Sequence, residues 1–333
     1  MSEGIYILAN DVVHNQLVAL LNSIEVNAGK KYPICIIPYD NRLQLVKDEI
    51  KQRDNVSLFQ ETDILTLWED FSTKVWQTHP QAFKVWQEHG EPGVYRMGMH
   101  RRFCGFDGIF DKFIYLDADI LILNSLDYIF QQLDKNEFVT YDFQYKDPTH
   151  VYDVKSTKLL DIFTASRIEE EIFCAGMYGS KRGIFNAERR EYLLSQLNQG
   201  DAEILYMNAP DQTILNYMVM RSGISSYNFA RQLPQTARTG CCVTSPHFQT
   251  KDNVLYDRGN RLTYLHYIGL SYRLFNSICD GENINIPYRD IFLHYRYLKE
   301  PEKHPQFTSQ AKPYKKNPPS LVTRLFKRLG FTV

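Results

Sequence analysis

The chain has 333 residues, 44% of them hydrophobic and 14% aromatic, and a formal net charge of −1. This composition is typical of a soluble globular protein with a sizeable core and argues against disorder. No apolar stretch reaches the length of about 20 residues that spans a bilayer. The six cysteines lack C-x-x-C spacing, which argues against a zinc knuckle.

The first 60 residues alternate between strand and helix patterns. Strands are predicted at 4–8, 32–39 and 56–59, and helices through Leu17 to Ile24 and from Leu43 to Ile50. This order predicts a parallel, doubly wound sheet whose ligands lie beyond the carboxyl ends of its strands. No glycine-rich dinucleotide or P-loop motif opens the first helix, which argues against both of those classes.

Two carboxylates interrupt the apolar run from Phe113 to Leu123, which otherwise reads as one buried strand. Carboxylates at i and i+2 of an extended segment project to one side, so Asp117 and Asp119 predict a site for a hard divalent cation. The alternative is structural, because an aspartate at a strand end often accepts turn hydrogen bonds or caps the next helix.

Three later segments carry further candidates. Residues 173–179 form a small-residue run in which the backbone could approach a ligand, although such glycines often mark a bulge. A helix begins near Pro210, with Asp211 and Gln212 in its first turn, where the helix dipole alone favours an acid. Finally, His266 ends a strand-like run, where a lone histidine is usually structural.

Taken in order, "KFIYLDADILIL", "CAGMYGS", "APDQTILN" and "LHYIG" resemble the family 8 glycosyltransferases, which include glycogenin and bacterial lipopolysaccharide galactosyltransferases. The resemblance covers residues 4 to about 275. It implies an α/β protein with the GT-A nucleotide-sugar-binding fold, a single doubly wound mixed sheet flanked by helices. It also implies transfer of a sugar, with retention, from a UDP-type donor to a hydroxyl of a saccharide, glycolipid or protein.

The resemblance also implies roles for single residues. Asp117, Asp119 and His266 would bind Mn2+ or Mg2+, and Asp211 and Gln212 would face the transferred sugar. The residues implied in donor binding, besides the two metal-binding aspartates, are Ala9, Asn10, Asp11, Ala118, Gly269 and either Arg101 or Arg102.

This sequence departs from the family pattern at two places. Cys174 stands where an asparagine is usual, and the Lys-Pro-Trp expected after the histidine is missing, so Arg273 is a candidate to replace that lysine at the phosphate. These departures keep open a non-catalytic nucleotide-sugar-binding protein. A haloacid-dehalogenase-type phosphatase is less consistent, because its D-x-D normally ends a first strand and continues into Gly-Thr or Thr.

We expect one GT-A domain over 1–275 and a C-terminal extension over 276–333. After Glu302 the chain has seven basic residues and no acid, and 320–331 has the pattern of a basic amphipathic helix. The segment 312–333 therefore either contacts a membrane surface or packs on the body. The body is negatively charged, which argues against nucleic-acid binding. The N-terminus lacks the basic region of a signal peptide, so we expect a cytoplasmic protein, at the inner face of the membrane if the tail binds it.

Overall fold

The computed structural model describes residues 1–142 and 147–314, and the helix predicted at 320–331 lies outside this part of the chain. Within it, every helix is too short or too polar to be a bilayer-spanning segment. The strands are β1 Glu3–Ala9, β2 Ile34–Pro38, β3 Val56–Leu58, β4 Lys112–Asp117, β5 Ile120–Ile122, β6 Phe138–Thr140, β7 Met177–Lys181, β8 Ser226–Asn228, β9 Gln249–Lys251, β10 Val254–Asp257, β11 Asn260–Arg261, β12 Tyr264–His266, β13 Ile284–Asn285 and β14 Lys312–Pro313. The helices are α1 His14–Asn27, α2 Gln44–Ile50, α3 Thr62–Gln77, α4 Ala82–Glu88, α5 Met97–His100, α6 Asp127–Lys135, α7 Leu159–Ile162, α8 Ala165–Glu171, α9 Ala187–Asn198, α10 Pro210–Arg221, α11 Phe229–Gln232, α12 Tyr272–Cys279 and α13 Arg289–Arg296.

Seven strands form the central sheet in the order β3-β2-β1-β4-β7-β6-β8. Strands β1 to β4 are parallel to one another, whereas β7 is antiparallel to both β4 and β6. The first five elements match the alternation predicted from the sequence, because the change from one periodicity to the other is clear in that segment. The sheet is therefore mixed and belongs to an α/β fold, as predicted.

Strand β1 is buried on both faces, because its alternate residues pack into two separate hydrophobic clusters. Ile5 and Ile7 join Leu17 of α1 in one cluster, and Tyr6 joins Trp68 of α3 in the other. A strand covered by helices on both sides has no solvent face, which explains why this segment reads as a continuous apolar run.

The apolar run from Phe113 to Leu123 forms two strands in different sheets, so the prediction of one strand was wrong. Strand β4 ends at Asp117, the chain turns at Ala118 and Asp119, and β5 then pairs with β12 in a small antiparallel sheet. Carboxylates in the middle of a buried strand would lose their solvation without gaining partners. The turn instead places both acids at the carboxyl edge of the main sheet.

The first part of the expected C-terminal extension packs against α1. Helix α12 contains residue 275, where we expected the boundary, and a hydrophobic cluster joins α12 and α13 to α1 and β5. Asn22 Nδ2 in α1 donates a hydrogen bond of 2.8 Å to the carbonyl oxygen of Tyr295 in α13. These contacts fix the chain that follows β12 against α1 and β5.

Candidate active site

The candidate site lies at the carboxyl ends of β1 and β4, where Leu8 pairs with Asp117 in the parallel register. A cavity of about 430 Å³ opens at this edge, as expected for a ligand site in an open α/β sheet. The residues that line it are Leu8, Ala9, Asn10, Val12, Val13, Gln16, Tyr39, Arg42, Arg96, Met99, Asp117, Ala118, Asp119, Leu270 and Tyr272.

Asp117 is the last residue of β4 and is fixed through both its backbone and its side chain. Its N–H donates a hydrogen bond of 2.8 Å to the carbonyl oxygen of Gly176. Its Oδ1 accepts hydrogen bonds from the hydroxyl of Tyr115 at 2.6 Å and from Nη2 of Arg102 at 3.1 Å. Burial raises the pKa of Asp117, although the charge of Arg102 opposes that rise.

Asp119 and His266 face each other across the edge of the small sheet. Pairing of β12 with β5 sets His266 opposite Ile120, and Nε2 of the ring lies 3.3 Å from Oδ1 of Asp119. Burial alone lowers the pKa of His266, but the neighbouring Asp119 outweighs burial and raises it well above its usual value. Burial likewise raises the pKa of Asp119, and the imidazole overcomes this to give a net lowering.

Asp117, Asp119 and His266 thus come together in space, and each offers a ligand atom within 4.8 Å of the others. Two carboxylate oxygens and an imidazole nitrogen form a donor set compatible with Mn2+ or Mg2+, so the residues present fit the ion that the resemblance implies. Glycine is required at position 176, because a Cβ there would lie 2.4 Å from Cε1 of His266.

Arg102 joins the two acidic parts of the site. Its side chain is only 1% exposed, and Nη2 lies 3.1 Å from Oδ1 of Asp117 and 3.0 Å from Oδ2 of Asp211. Its Nη1 donates a hydrogen bond of 2.6 Å to the carbonyl oxygen of Ala175. Arg102 is therefore the buried cation that pairs with the carboxylates of both Asp117 and Asp211.

Asp211 and Gln212 stand in the first turn of α10. Burial raises the pKa of Asp211, but the charge of Arg102 outweighs it, so the pKa lies below its usual value and the group is ionised at neutral pH. Both polar atoms of the Gln212 amide bind backbone: Oε1 accepts from the N–H of Ala175 at 3.1 Å, and Nε2 donates to the carbonyl oxygen of His150 at 2.7 Å.

The turn after β1 contributes to the cavity only in part. Ala9 and Asn10 line it, as does Ala118 on the neighbouring turn. The carboxylate of Asp11 instead accepts hydrogen bonds from the backbone N–H groups of Gln44, at 2.8 Å, and Val46, at 3.1 Å. Asp11 thus caps α2 and is not among the described residues that line the cavity.

Arg101, Gly269 and Arg273 also lie outside the described lining of the cavity. Arg101 points to Glu69, with Nε 2.6 Å from Oε1 of that acid. Arg273 is exposed, with its guanidinium 5.8 Å from the centre of the Tyr272 ring. Gly269 has a φ of +78° in the turn after β12, a conformation that favours glycine and leads the chain back to the cavity wall.

Sequence reasoning missed several of the described residues that line the cavity, among them Tyr39, Arg42, Arg96 and Tyr272. Tyr272 lies where the Lys-Pro-Trp of the family pattern is missing. This departure from the pattern could have marked Tyr272 as a residue of the site. Arg96 stands in a segment without a motif or a clear period, and nothing in the sequence pointed to it.

The cysteines include a group packed behind His266. The Sγ atom of Cys174 lies 4.0 Å from Nδ1 of His266, and the backbone of Cys241 accepts a hydrogen bond from the N–H of His266. Asp142, Cys241 and Cys242 form a second set of potential ligands, also within 4.8 Å of one another. All six cysteines are free.

The known proteins that this chain resembles are glycosyltransferases. No protein-family model matches it. Over 194 residues it is 25% identical to a lipopolysaccharide 1,2-glucosyltransferase of Escherichia coli, covering 54% of this chain and 50% of that protein. The chain thus spans about half the length of this curated relative.

Two solved structures share its fold at low sequence identity. The galactosyltransferase LgtC, solved with donor and acceptor sugar analogues, gives a TM-score of 0.51 at 14% identity, over 83% of this chain and 94% of LgtC. The bifunctional glycosyltransferase WbbM gives a TM-score of 0.53 at 15% identity, over 91% of this chain and 52% of WbbM.

The fold is therefore that of the GT-A glycosyltransferases, which confirms the predicted fold class. Within that class the chain resembles the family 8 glycosyltransferases, and this predicted resemblance is confirmed as well.

Replacing Arg102 with methionine should strongly destabilise the protein, because Asp117 and Asp211 would remain buried without their cation. We expect the free energy of unfolding, measured by urea denaturation, to fall by about 3–5 kcal/mol. Arg101→Met is the matched control, because Arg101 pairs with the partly exposed Glu69 and donates to the carbonyl oxygen of Pro38, so its loss should cost only about 1–2 kcal/mol. Equal losses in the two variants would contradict the role given to Arg102.

Proposed function

We propose that the chain is a metal-dependent glycosyltransferase that moves a sugar from a UDP-sugar to a hydroxyl acceptor with retention. The observation that carries this proposal is the meeting of Asp117, Asp119 and His266 at the carboxyl edge of the sheet, beside the 430 Å³ cavity. Asp117 ends β4, Asp119 lies in the turn that follows, and His266 comes from β12, so only the folded chain brings the three together.

These three side chains would hold Mn2+ or Mg2+, which as a Lewis acid would stabilise the charge of the diphosphate leaving group by several kcal/mol. The protein's own part is to present the donor atoms in a fixed arrangement. Hydrogen bonds from Tyr115 and Arg102 orient Asp117, and the close approach of Gly176 fixes the ring of His266. Such preorganisation lowers the cost of binding and reaction.

The cavity walls suit the nucleoside part of the donor. Tyr39 and Tyr272 line the cavity and offer aromatic faces on which a base can stack. Asn10 is held in place because its Oδ1 accepts from the N–H of Val12 and its Nδ2 donates to Asp40 at 2.9 Å. We assign the uridine to this end of the cavity and the sugar to the end near Asp117 and Asp119.

Asp211 would stabilise positive charge that develops on the sugar ring. The carboxylate is ionised, buried and oriented by Arg102, so its charge acts in a medium of low polarity. Because Oδ2 is committed to Arg102, we assign Asp211 an electrostatic role and propose no covalent intermediate. The acceptor hydroxyl would then attack from the side of the leaving group, as the resemblance to retaining enzymes implies.

For the acceptor, we propose a saccharide hydroxyl on a glycolipid, because the E. coli relative is named for lipopolysaccharide. We also propose a cytoplasmic location with peripheral membrane contact through the basic segment 312–333. A non-catalytic nucleotide-sugar-binding protein is the alternative. The transferase is preferred because this chain keeps both the acidic pair with its histidine and the ionised Asp211.

Asp119→Asn should abolish Mn2+-dependent binding of UDP, because the amide loses the negative charge that attracts the ion. We expect the affinity measured by calorimetric titration to fall by more than the roughly 10- to 100-fold typical of residues that only support a ligand. Asp70→Asn, on the exposed face of α3, is the control and should bind as the wild type does. Unchanged binding in Asp119→Asn would refute the proposed metal site.

Asp211→Asn should separate binding from turnover. We expect sugar transfer or donor hydrolysis with Mn2+ to slow by on the order of 10²- to 10³-fold, a loss typical of one electrostatic group in an active site. Affinity for UDP should change little, because Asp211 is not a ligand of the proposed ion. Wild-type turnover retained in this variant would contradict the assignment, and a thermal midpoint checks that the variant is folded.

A further inference from the structure

Arg42 and Arg96 are the two cations on the described wall of the cavity. The side chain of Arg96 lines the cavity and forms no hydrogen bond or ion pair with any residue of 1–142 or 147–314. Arg42, the other cation on the wall, is already paired with Asp40. Arg96 is thus the unneutralised positive charge on the part of the wall that the structure describes.

The backbone of Arg96 is held in an uncommon conformation. It has φ 54° and ψ 42°, in the left-handed region that residues with side chains rarely adopt. Backbone strain of this kind persists only where the surroundings impose it, and it is concentrated at functional sites.

The short helix α5, which follows Arg96, is fixed on both sides. A Cβ at Gly98 would lie 2.5 Å from the carbonyl oxygen of Tyr39, so the helix touches the cavity wall directly. On the other side, Nε1 of Trp76 donates a hydrogen bond of 3.1 Å to Nε2 of the buried His100. These contacts hold the Arg96 backbone at the rim of the cavity.

A diphosphate that binds in the cavity requires a further positive charge, because the charges already there do not neutralise it. Asp117, Asp119 and Asp211 are negative, and the buried Arg102 is already shared between the first and the last of them. A divalent ion would offset the remaining two negative charges but not those of a diphosphate. Arg96 lines the same cavity as Asp117 and Asp119, so its charge is placed to meet a diphosphate bound there.

We propose that Arg96 binds the diphosphate of the nucleotide-sugar donor and stabilises the leaving group. The inference rests on the proposed function and goes beyond it by naming a phosphate-binding residue on α5 that no sequence motif marks. A guanidinium suits this task, because it forms paired, charge-assisted hydrogen bonds to phosphate oxygens. Arg273, the candidate from the sequence, is exposed and lies on the ring of Tyr272 instead.

The test is calorimetric titration with UDP and with uridine, both in the presence of Mn2+. In Arg96→Gln we expect the affinity for UDP to fall by on the order of ten- to a hundredfold, the range for a lost charged hydrogen bond, and the affinity for uridine to stay unchanged. Arg96→Lys should recover part of the loss, because lysine restores the charge without the paired geometry.

Arg96→Gly and Asp252→Gly form a matched pair of controls, because Asp252 also has a positive φ, 51°, and lies in the turn between β9 and β10. Both substitutions relieve the backbone strain of a positive φ, so neither should lower the thermal midpoint of unfolding. Only Arg96→Gly should lose UDP affinity.

Wild-type UDP affinity in Arg96→Gln and Arg96→Gly would overturn the inference and leave the proposed function standing. Equal loss for UDP and uridine would also overturn it, because the residue would then shape the cavity rather than bind phosphate. A wild-type protein that binds none of UDP, GDP and ADP with Mn2+ would overturn the proposed function and this inference with it.

Discussion

The buried guanidinium of Arg102 is the interaction on which the rest of the site depends. It lies between Asp117, at the end of β4, and Asp211, at the start of α10, and so joins the sheet edge to a helix distant in sequence. Burying two carboxylates is costly unless a cation shares their environment. With Arg102 in place, Asp117 stays within reach of Asp119 and His266, and Asp211 stays ionised. The proposed catalysis therefore depends on the structural cation Arg102 as much as on the carboxylates of Asp117 and Asp211.

Much of the architecture could be predicted from the sequence, because local patterns determine it. The alternation of β1, α1, β2, α2 and β3 follows from clear changes of hydrophobic period. The acidic pair in an apolar run indicates the carboxyl end of a buried strand. His266 was found only through its place in an ordered set of segments that resemble a family. Its position opposite Ile120 depends on the pairing of β12 with β5, which no local pattern encodes.

Other features could not be predicted, because they depend on which long-range partner a side chain meets. Asp11 and Asn10 are neighbours in sequence, yet one caps α2 and the other lines the cavity. Arg101 and Arg102 are likewise adjacent, but one reaches Glu69 and the other the buried acids. The break between β4 and β5 was missed because the residues after the acidic pair are as apolar as those before it, so nothing local shows that they join another sheet.

Anomalous diffraction at the manganese edge, from crystals grown with Mn2+ and UDP, would show whether the acidic pair and His266 bind the ion. We expect one manganese peak at bonding distance, about 2.0–2.5 Å, from Asp117, Asp119 and His266, with the diphosphate beside it. The second set of potential ligands, Asp142, Cys241 and Cys242, provides an internal comparison. A peak bound only to that thiol-containing set, or no peak beside the acidic pair, would contradict the account.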